Sequence, residues 1–278
     1  IIRDFIYVPL GVFQHNPNLG NLLTGIIVAS LVSIVIFGGI QRIAKVASKL
    51  VPFMVGLYLL AALIIVLKNF GKIPSVFKII LQDAFTGTSV AGGAIGSMII
   101  IGVRRGLFSN EAGTGTETMA HGAAKTKEPV REGLVAMLGP FIDTIIVCSI
   151  TAIIILISGV YTQDINGVSM TASAFEHELG LLGKIFLIIA VLTFALSTMF
   201  GYSFYGRKCV SYLFGTGAKN IYNWIYVSMI IVASVASIDI AINFVDSAYA
   251  LMVIPTMVGT ILLSPKVIEE AKLYFSKL

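Results

Sequence analysis

Long apolar runs alternate with short polar stretches along almost the whole chain. Seven runs stand out, at 21–39, 49–67, 86–103, 133–159, 183–205, 221–237 and 239–263, and each has few or no charges. A run of about 18 such residues crosses the hydrocarbon of a bilayer as a helix. The pattern therefore predicts an all-α polytopic membrane protein with about seven transmembrane helices. Residues 1–20 break the rhythm with Pro9 and Pro17 and read as an irregular segment, the end of a truncated helix. A transmembrane domain over 21–265 and a polar tail over 266–278 complete the expected organisation.

Pro52, Pro140 and Pro255 fall inside three of the spans. Each is expected to kink its helix, because neighbouring helices can re-satisfy the carbonyls it frees. Between spans, the stretches 73–85 and 169–180 read as short amphipathic helices lying over one face, either as lids or as plain interfacial helices.

Composition sharpens this picture. The 278 residues are 57% hydrophobic and 12% charged, against about 25% charged in soluble domains. A net charge of +5 could suggest nucleic acid. The basic residues instead cluster between spans, as topology signals do, so no nucleic-acid partner is expected. Fourteen lysines and arginines lie in one alternate set of connections, among them Arg42, Arg104, Arg131, Arg207 and Lys266. Four (Lys68, Lys72, Lys78 and Lys184) lie in the other set. The positive-inside rule then predicts a plasma (inner) membrane protein with its C-terminus in the cytoplasm. Cys148 and Cys209 lie in or beside apolar runs without CxxC spacing, and read as packed thiols.

Three groups of residues could carry chemistry. Gly87, Gly92, Gly93 and Gly96, with Thr86, Thr88, Ser89 and Ser97, interrupt the third span. Gly92 and Gly96 have the spacing of close helix packing. The adjacent glycines and flanking hydroxyls equally suit an unwound helix break, whose free N–H and C=O groups can hold a carboxylate and a cation. Asp143, followed by Thr144, sits about 15 Å into its span by the helical rise. A carboxylate there is costly unless it meets water, an ion or a partner, so it is read as a cation or proton site, with pairing to another helix as the alternative. Ser197 and Thr198 are adjacent hydroxyls in mid-span. They either donate back to carbonyls one turn earlier or supply oxygen to a hard cation such as sodium.

The polar stretch from Arg104 to Lys125 is glycine-rich, but it lacks a P-loop and a completed GxGxxG. Glu117 and His121 have helical ligand spacing with no third ligand near, so no resident metal is expected. With no GxSxG or HExxH either, the chain is not expected to be an enzyme and needs no cofactor. Arg104, Asn110 and Glu111 are read as an inner, cytoplasmic anchor or gate.

At FSNEAGTGT (108–116), AHGAAKTKEPV (120–130) and EGLVAMLGPFIDTIIVCSITAIIILISG (132–159) the chain strongly resembles the alanine or glycine:cation symporter family, the sodium:alanine symporters. IFGGIQRIAKVASKLVPFM (36–54) and FALSTMFGYSFYGRK (194–208) carry the same resemblance. It implies the inverted five-plus-five helix repeat, with the first and sixth helices broken at the substrate. The seven spans here would then match helices four to ten, the C-terminal portion of such a protein. On that basis Thr88, Ser89, Gly92, Gly93 and Gly96 would line a site for a small neutral amino acid, alanine or glycine. Ser197 and Thr198 match the hydroxyl pair of helix eight that binds sodium with carbonyls of helix one. Asp143 and Thr144 would lie near a second cation position, for sodium or a proton. Gln14 would correspond to a glutamine at the end of helix three, although the residues around it depart from the pattern. The resemblance thus predicts sodium-coupled symport by alternating access, from a chain truncated at its N-terminus. The competing expectation is a non-transporting membrane remnant or interaction subunit that lacks the first helices.

Overall fold

The computed structural model describes residues 2–85 and 94–277, and every regular element among them is helical. A short π-helical turn, Arg3–Tyr7, precedes α1 (Pro17–Ile36) and α2 (Gly39–Lys68). Next come α3 (Ile73–Phe85), α4 (Ala94–Asn110) and α5 (Thr116–His121). The chain continues through α6 (Pro129–Ser158), α7 (Val168–Phe214), α8 (Ala218–Val235) and α9 (Ile238–Phe275).

Five of these helices, α1, α2, α6, α7 and α9, are long and apolar enough to cross a membrane. They carry five of the seven expected spans. The span at 221–237 forms α8, an 18-residue helix whose first turns hold Lys219, Asn220 and Asn223. Those polar residues leave its apolar part short of a full crossing by composition. The span at 86–103 lies partly outside the described residues, and its remainder is α4. Helix α1 starts inside the stretch read as irregular. The Asn16 side chain accepts from the Leu19 N–H, and Pro17 takes the first helical position, where its missing N–H costs nothing.

The prolines act differently from one another. Pro52 lies within α2, and Pro255 and Pro265 lie within α9. After Pro140, α6 changes to π-helix over Phe141–Cys148 before resuming as α-helix at Ser149. Removing one N–H from the ladder favours such a register change. Both amphipathic stretches are helical: one is α3, and the other is the first part of α7, set off by Gly180 at φ 64° and ψ −150°.

The chain divides into two compact units. The first comprises Ile1–Ile73 and Thr151–Ala241, and the second Pro74–Ile150 and Ile242–Leu278. In the first, α1, α2, α7 and α8 pack round Val32, Ile36, Ile43 and Phe200, with Val28, Leu50, Leu196 and Ile230 against them. Small residues allow the close approaches: a Cβ at Gly25 would overlap the Ser234 side chain, and one at Gly206 would overlap Tyr222. This is how helices associate where lipid offers no hydrophobic drive between them.

The second unit is organised round the end of α4. Glu111 adopts a left-handed φ of 56°, and Gly113 and Gly115 follow at 78° and 91°. The chain turns so tightly that Thr114 Oγ1 donates to Glu111 O at 2.7 Å and meets Thr116 Oγ1 at 2.9 Å. Thr114 and Thr116 are both buried. Helix α9 closes on this turn through Thr256 Oγ1, which donates to Thr114 O at 3.3 Å. A Cβ at Gly115 would stand 2.9 Å from the same hydroxyl, so the glycine is needed for space as well as for φ.

Candidate functional site

The end of α4 and the π-helical part of α6 bring four polar side chains together. Ser109 Oγ donates to Asp143 Oδ2 at 2.7 Å. One residue on, Asn110 Nδ2 donates to Thr144 Oγ1 at 3.0 Å. Two consecutive residues of one helix thus bond two consecutive residues of another. Asp143 and Thr144 are half-buried. Asn110 is also fixed from its other end, where Oδ1 accepts from the Ala112 N–H at 2.9 Å. Its amide therefore ties the left-handed turn to α6. A π-helix loosens the backbone ladder and re-aims side chains, and such insertions recur at functional sites. Asp143 with the Thr144 hydroxyl is an oxygen set of the kind hard cations take.

One step back along α4, Arg104 and Arg105 both reach Asp246 of α9, at 3.6 and 3.5 Å. The arginines are about half exposed, while the Asp246 side chain is only 16% exposed. The sequence put Arg104 at the inner side, and Asp246 lies in the early turns of α9. Helix α9, at 38 residues, is far longer than the ~20 that a crossing needs, so its length does not fix the depth of Asp246. Between α4 and α9 lies a cavity of about 630 Å³, walled by Val103, Leu107, Phe108 and Tyr249, with Arg104 and Asp246 on its rim.

The second hydroxyl pair belongs to the first unit. Ser197 Oγ donates to Phe194 O at 2.8 Å and also approaches Met54 Sδ at 3.6 Å. It is the back-donating arrangement weighed for this residue, and it leaves the oxygen's lone pairs free to accept or ligate. Thr198 is exposed on the same helix. Nearby, Tyr58 and Thr151 are hydrogen-bonded to each other through their hydroxyls.

Of the glycine-rich substrate candidates, Thr88, Ser89, Gly92 and Gly93 lie outside the described residues, and Gly96 lies in the first turn of α4. Gln14 sits in the turn before α1. Among the described residues no group of three or more His, Cys, Asp or Glu is placed to hold a metal ion. His121 pairs through Nδ1 with Glu132 Oε1 at 2.7 Å. Burial raises the Glu117 carboxyl above the usual carboxylate range, and the charge of Glu111 adds to this, while His121 and the Gly113 N–H oppose it.

Sequence reasoning passed over Ser109 and Arg105, and it gave Asp246 no partner. The signal for Ser109 is slight: Ser109-Asn110 is an adjacent polar pair like Asp143-Thr144, but it lies in a polar stretch where such pairs do not stand out.

The sequence matches the sodium:alanine symporter family over residues 9–278. Among its relatives is an uncharacterized transporter of Haemophilus influenzae, 37% identical over 271 residues, covering 95% of this chain and 59% of the relative. The sodium/alanine symporter AgcS of Methanococcus maripaludis is 40% identical over 257 residues, covering 91% of this chain and 56% of the relative. A probable sodium/glutamine symporter of Bacillus subtilis, GlnT, is 33% identical over 266 residues, 94% of this chain and 55% of its own. The chain spans a little over half the length of these curated relatives. With the match running over nearly all of its residues, this multi-pass, helical chain belongs to the sodium:alanine symporter family, a family of transporters and not of enzymes.

Proposed function

We propose that the chain is the C-terminal portion of a sodium-coupled symporter that carries a small neutral amino acid, alanine or glycine, across the plasma membrane by alternating access. Its spans correspond to helices four to ten of an inverted five-plus-five repeat, with the C-terminus in the cytoplasm. Thr88, Ser89, Gly92, Gly93 and Gly96 line the amino acid site. Ser197 and Thr198 ligate the coupling cation.

One observation carries most of this reading: the joined pairs Ser109–Asp143 and Asn110–Thr144 in the π-helical part of α6. A carboxylate within an apolar span is expensive, and functional sites are where that cost is retained. Among the described residues its hydrogen-bond partner is the Ser109 hydroxyl, which does not match a full charge, so a cation completes the arrangement. Relatives bear names that include sodium/alanine symporter and sodium/proton-dependent alanine carrier, and these support amino acid and cation as cargo. Arg104, Asn110 and Glu111 form the inner gate, with the arginine latched to Asp246.

The test is uptake of labelled alanine, glycine and glutamine by the full-length protein in vesicles, with sodium and proton gradients imposed separately. Sodium-driven alanine or glycine uptake is expected, with Asp143→Asn and Ser197→Ala plus Thr198→Ala each raising the sodium concentration required. Uptake with unchanged sodium dependence in both variants removes the cation assignment. Uptake driven by neither gradient removes the symport reading.

A further inference from the structure

A separate cavity of about 240 Å³ opens in the first unit, where the end of α7 meets the starts of α2 and α8. It is lined by Ile40, Phe204, Arg207, Lys208, Ser211 and Lys219. Three cations and one hydroxyl therefore face one small space, and no carboxylate lines it. Among the described residues none of the three cations forms an ion pair.

Topology alone accounts for basic residues in this connection, but not for their convergence on a concave site. Arg207 and Lys208 come from the last two turns of α7, where a helix C-terminus tolerates positive charge. Lys219 does not share that excuse: it sits in the first turn of α8, against the positive end of the helix dipole. A Cβ at Gly39, whose φ is 72°, would stand 3.8 Å from the Arg207 guanidinium, so that group lies beside the entrance of α2. The Lys208 ammonium stands 5.7 Å from the Phe204 ring centroid, a cation–π contact between two residues that line the cavity. Like charges held together in this way are stabilised by an anion.

The surroundings say which anion. A second cavity, about 470 Å³, runs between α1 and α8, lined by Ile26, Ala29, Phe37, Trp224, Val227 and Ile231 among others. Phe37 is three residues from Ile40, and Trp224 is five from Lys219, so an apolar groove begins within two helical turns of the basic cavity. The Phe37 and Trp224 rings pack at a tilt, 4.9 Å between centroids, and Trp224 is the chain's single tryptophan. Tryptophan marks the level of the lipid headgroups. A cation-lined cavity beside an apolar groove at that level matches a phosphate headgroup with its acyl chain, and basic pockets between transmembrane helices bind such lipids.

We propose that the cavity formed by Arg207, Lys208, Ser211 and Lys219 holds the phosphate of an anionic phospholipid headgroup, whose chain lies along the α1–α8 groove. The site rests on reading the chain as membrane-spanning and is independent of what is transported. The arginine fork takes the phosphate oxygens, the two ammonium groups neutralise it, and the Ser211 hydroxyl donates a further bond.

The full-length protein in detergent micelles is titrated with phosphatidylglycerol, phosphatidylcholine or inorganic phosphate, and bound lipid is counted by native mass spectrometry. Phosphatidylglycerol is expected to bind in preference to phosphatidylcholine. Each removed cation should weaken it about fivefold, compounding in the Arg207→Gln, Lys208→Gln, Lys219→Gln triple variant. Lys45→Gln with Lys49→Gln removes charges outside the cavity and should leave binding unchanged. Should the triple variant fail to fold, the exposed Lys208→Gln serves, with a fivefold loss expected by itself. Equal binding of the two lipids, an equal loss in the Lys45 and Lys49 variant, or no loss in Lys208→Gln overturns the proposal. Displacement of phosphatidylglycerol by millimolar inorganic phosphate also overturns it, reassigning the cavity to a free anion.

Discussion

In the first unit Val32, Ile36, Ile65, Ile154, Phe175, Leu187 and Phe200 are buried among apolar neighbours. In the second, among the described residues, Thr114 and Thr116 are buried while Val76 is the one buried hydrophobic side chain. What joins its elements is polar: Arg104 and Arg105 to Asp246, Ser109 to Asp143, Asn110 to Thr144 and Thr256 to Thr114. Apolar contacts are many, weak and interchangeable, so a body built from them has no single joint at which to open. Polar contacts are few and directional, and each can be exchanged for an ion, a water or another partner. The contrast sets directional polar joints in the second unit against apolar packing in the first.

The largest expected effect is on the packed side. Phe200→Ala should cost about 3–5 kcal/mol, seen as a large fall in the midpoint of unfolding in detergent. A loss below about 1 kcal/mol would erase the contrast, since surface-like positions lose no more than that. Gly206→Val comes next, at about 1–3 kcal/mol from overpacking against Tyr222. Truncating the obstacle in a Gly206→Val, Tyr222→Ala double variant should recover part of that loss. A purely additive result would show that the glycine serves something other than close approach.

On the polar side the effects on stability are small. Asp246→Asn should cost under about 1 kcal/mol, because its arginine partners are half exposed and solvent-screened. Its consequence should appear instead in transport by the full-length protein, as a changed rate of return to the outward state. A large loss of stability with unchanged transport would make the pair a structural brace. Smallest is a pH effect. Burial holds Glu117 above the usual carboxylate range, so the folded state binds its proton more readily than the unfolded state does. Its contribution is then present below the usual range and lost as pH rises through the raised value. Glu117→Gln should remove that part of the slope of melting temperature against pH. An identical slope in both proteins would locate the titration elsewhere.

The boundaries of α1 and α6 show how far local pattern reaches. The 133–159 run was legible, yet the change to π-helix after Pro140 was not, because a proline can kink, break or re-register a helix depending on what surrounds it. Pro17 read as a breaker, but Asn16 before it makes it a helix start. The amphipathic stretches became helices where expected, since a polar side at helical spacing is local information.

Within the candidate site, Asp143 and Thr144 were conspicuous as polar residues in an apolar run, whereas Ser109 lay unnoticed in a stretch that is polar throughout. Nothing local distinguishes a hydroxyl that meets a carboxylate 34 residues away from one that faces water. The FSNEAGTGT motif likewise announced a family by itself. Only the fold shows that its glycines and threonines build a left-handed turn closed by Thr256.

By itself the sequence determined that the chain is helical, membrane-spanning and a member of a transporter family, because hydropathy, helical period and motif identity are summed over neighbouring residues. The tertiary structure decided which polar residues meet. It set Arg104 and Arg105 on Asp246, Ser109 on Asp143, and Arg207, Lys208 and Lys219 round one cavity. Those pairings depend on helix register and crossing, which are settled by packing between segments far apart in the chain.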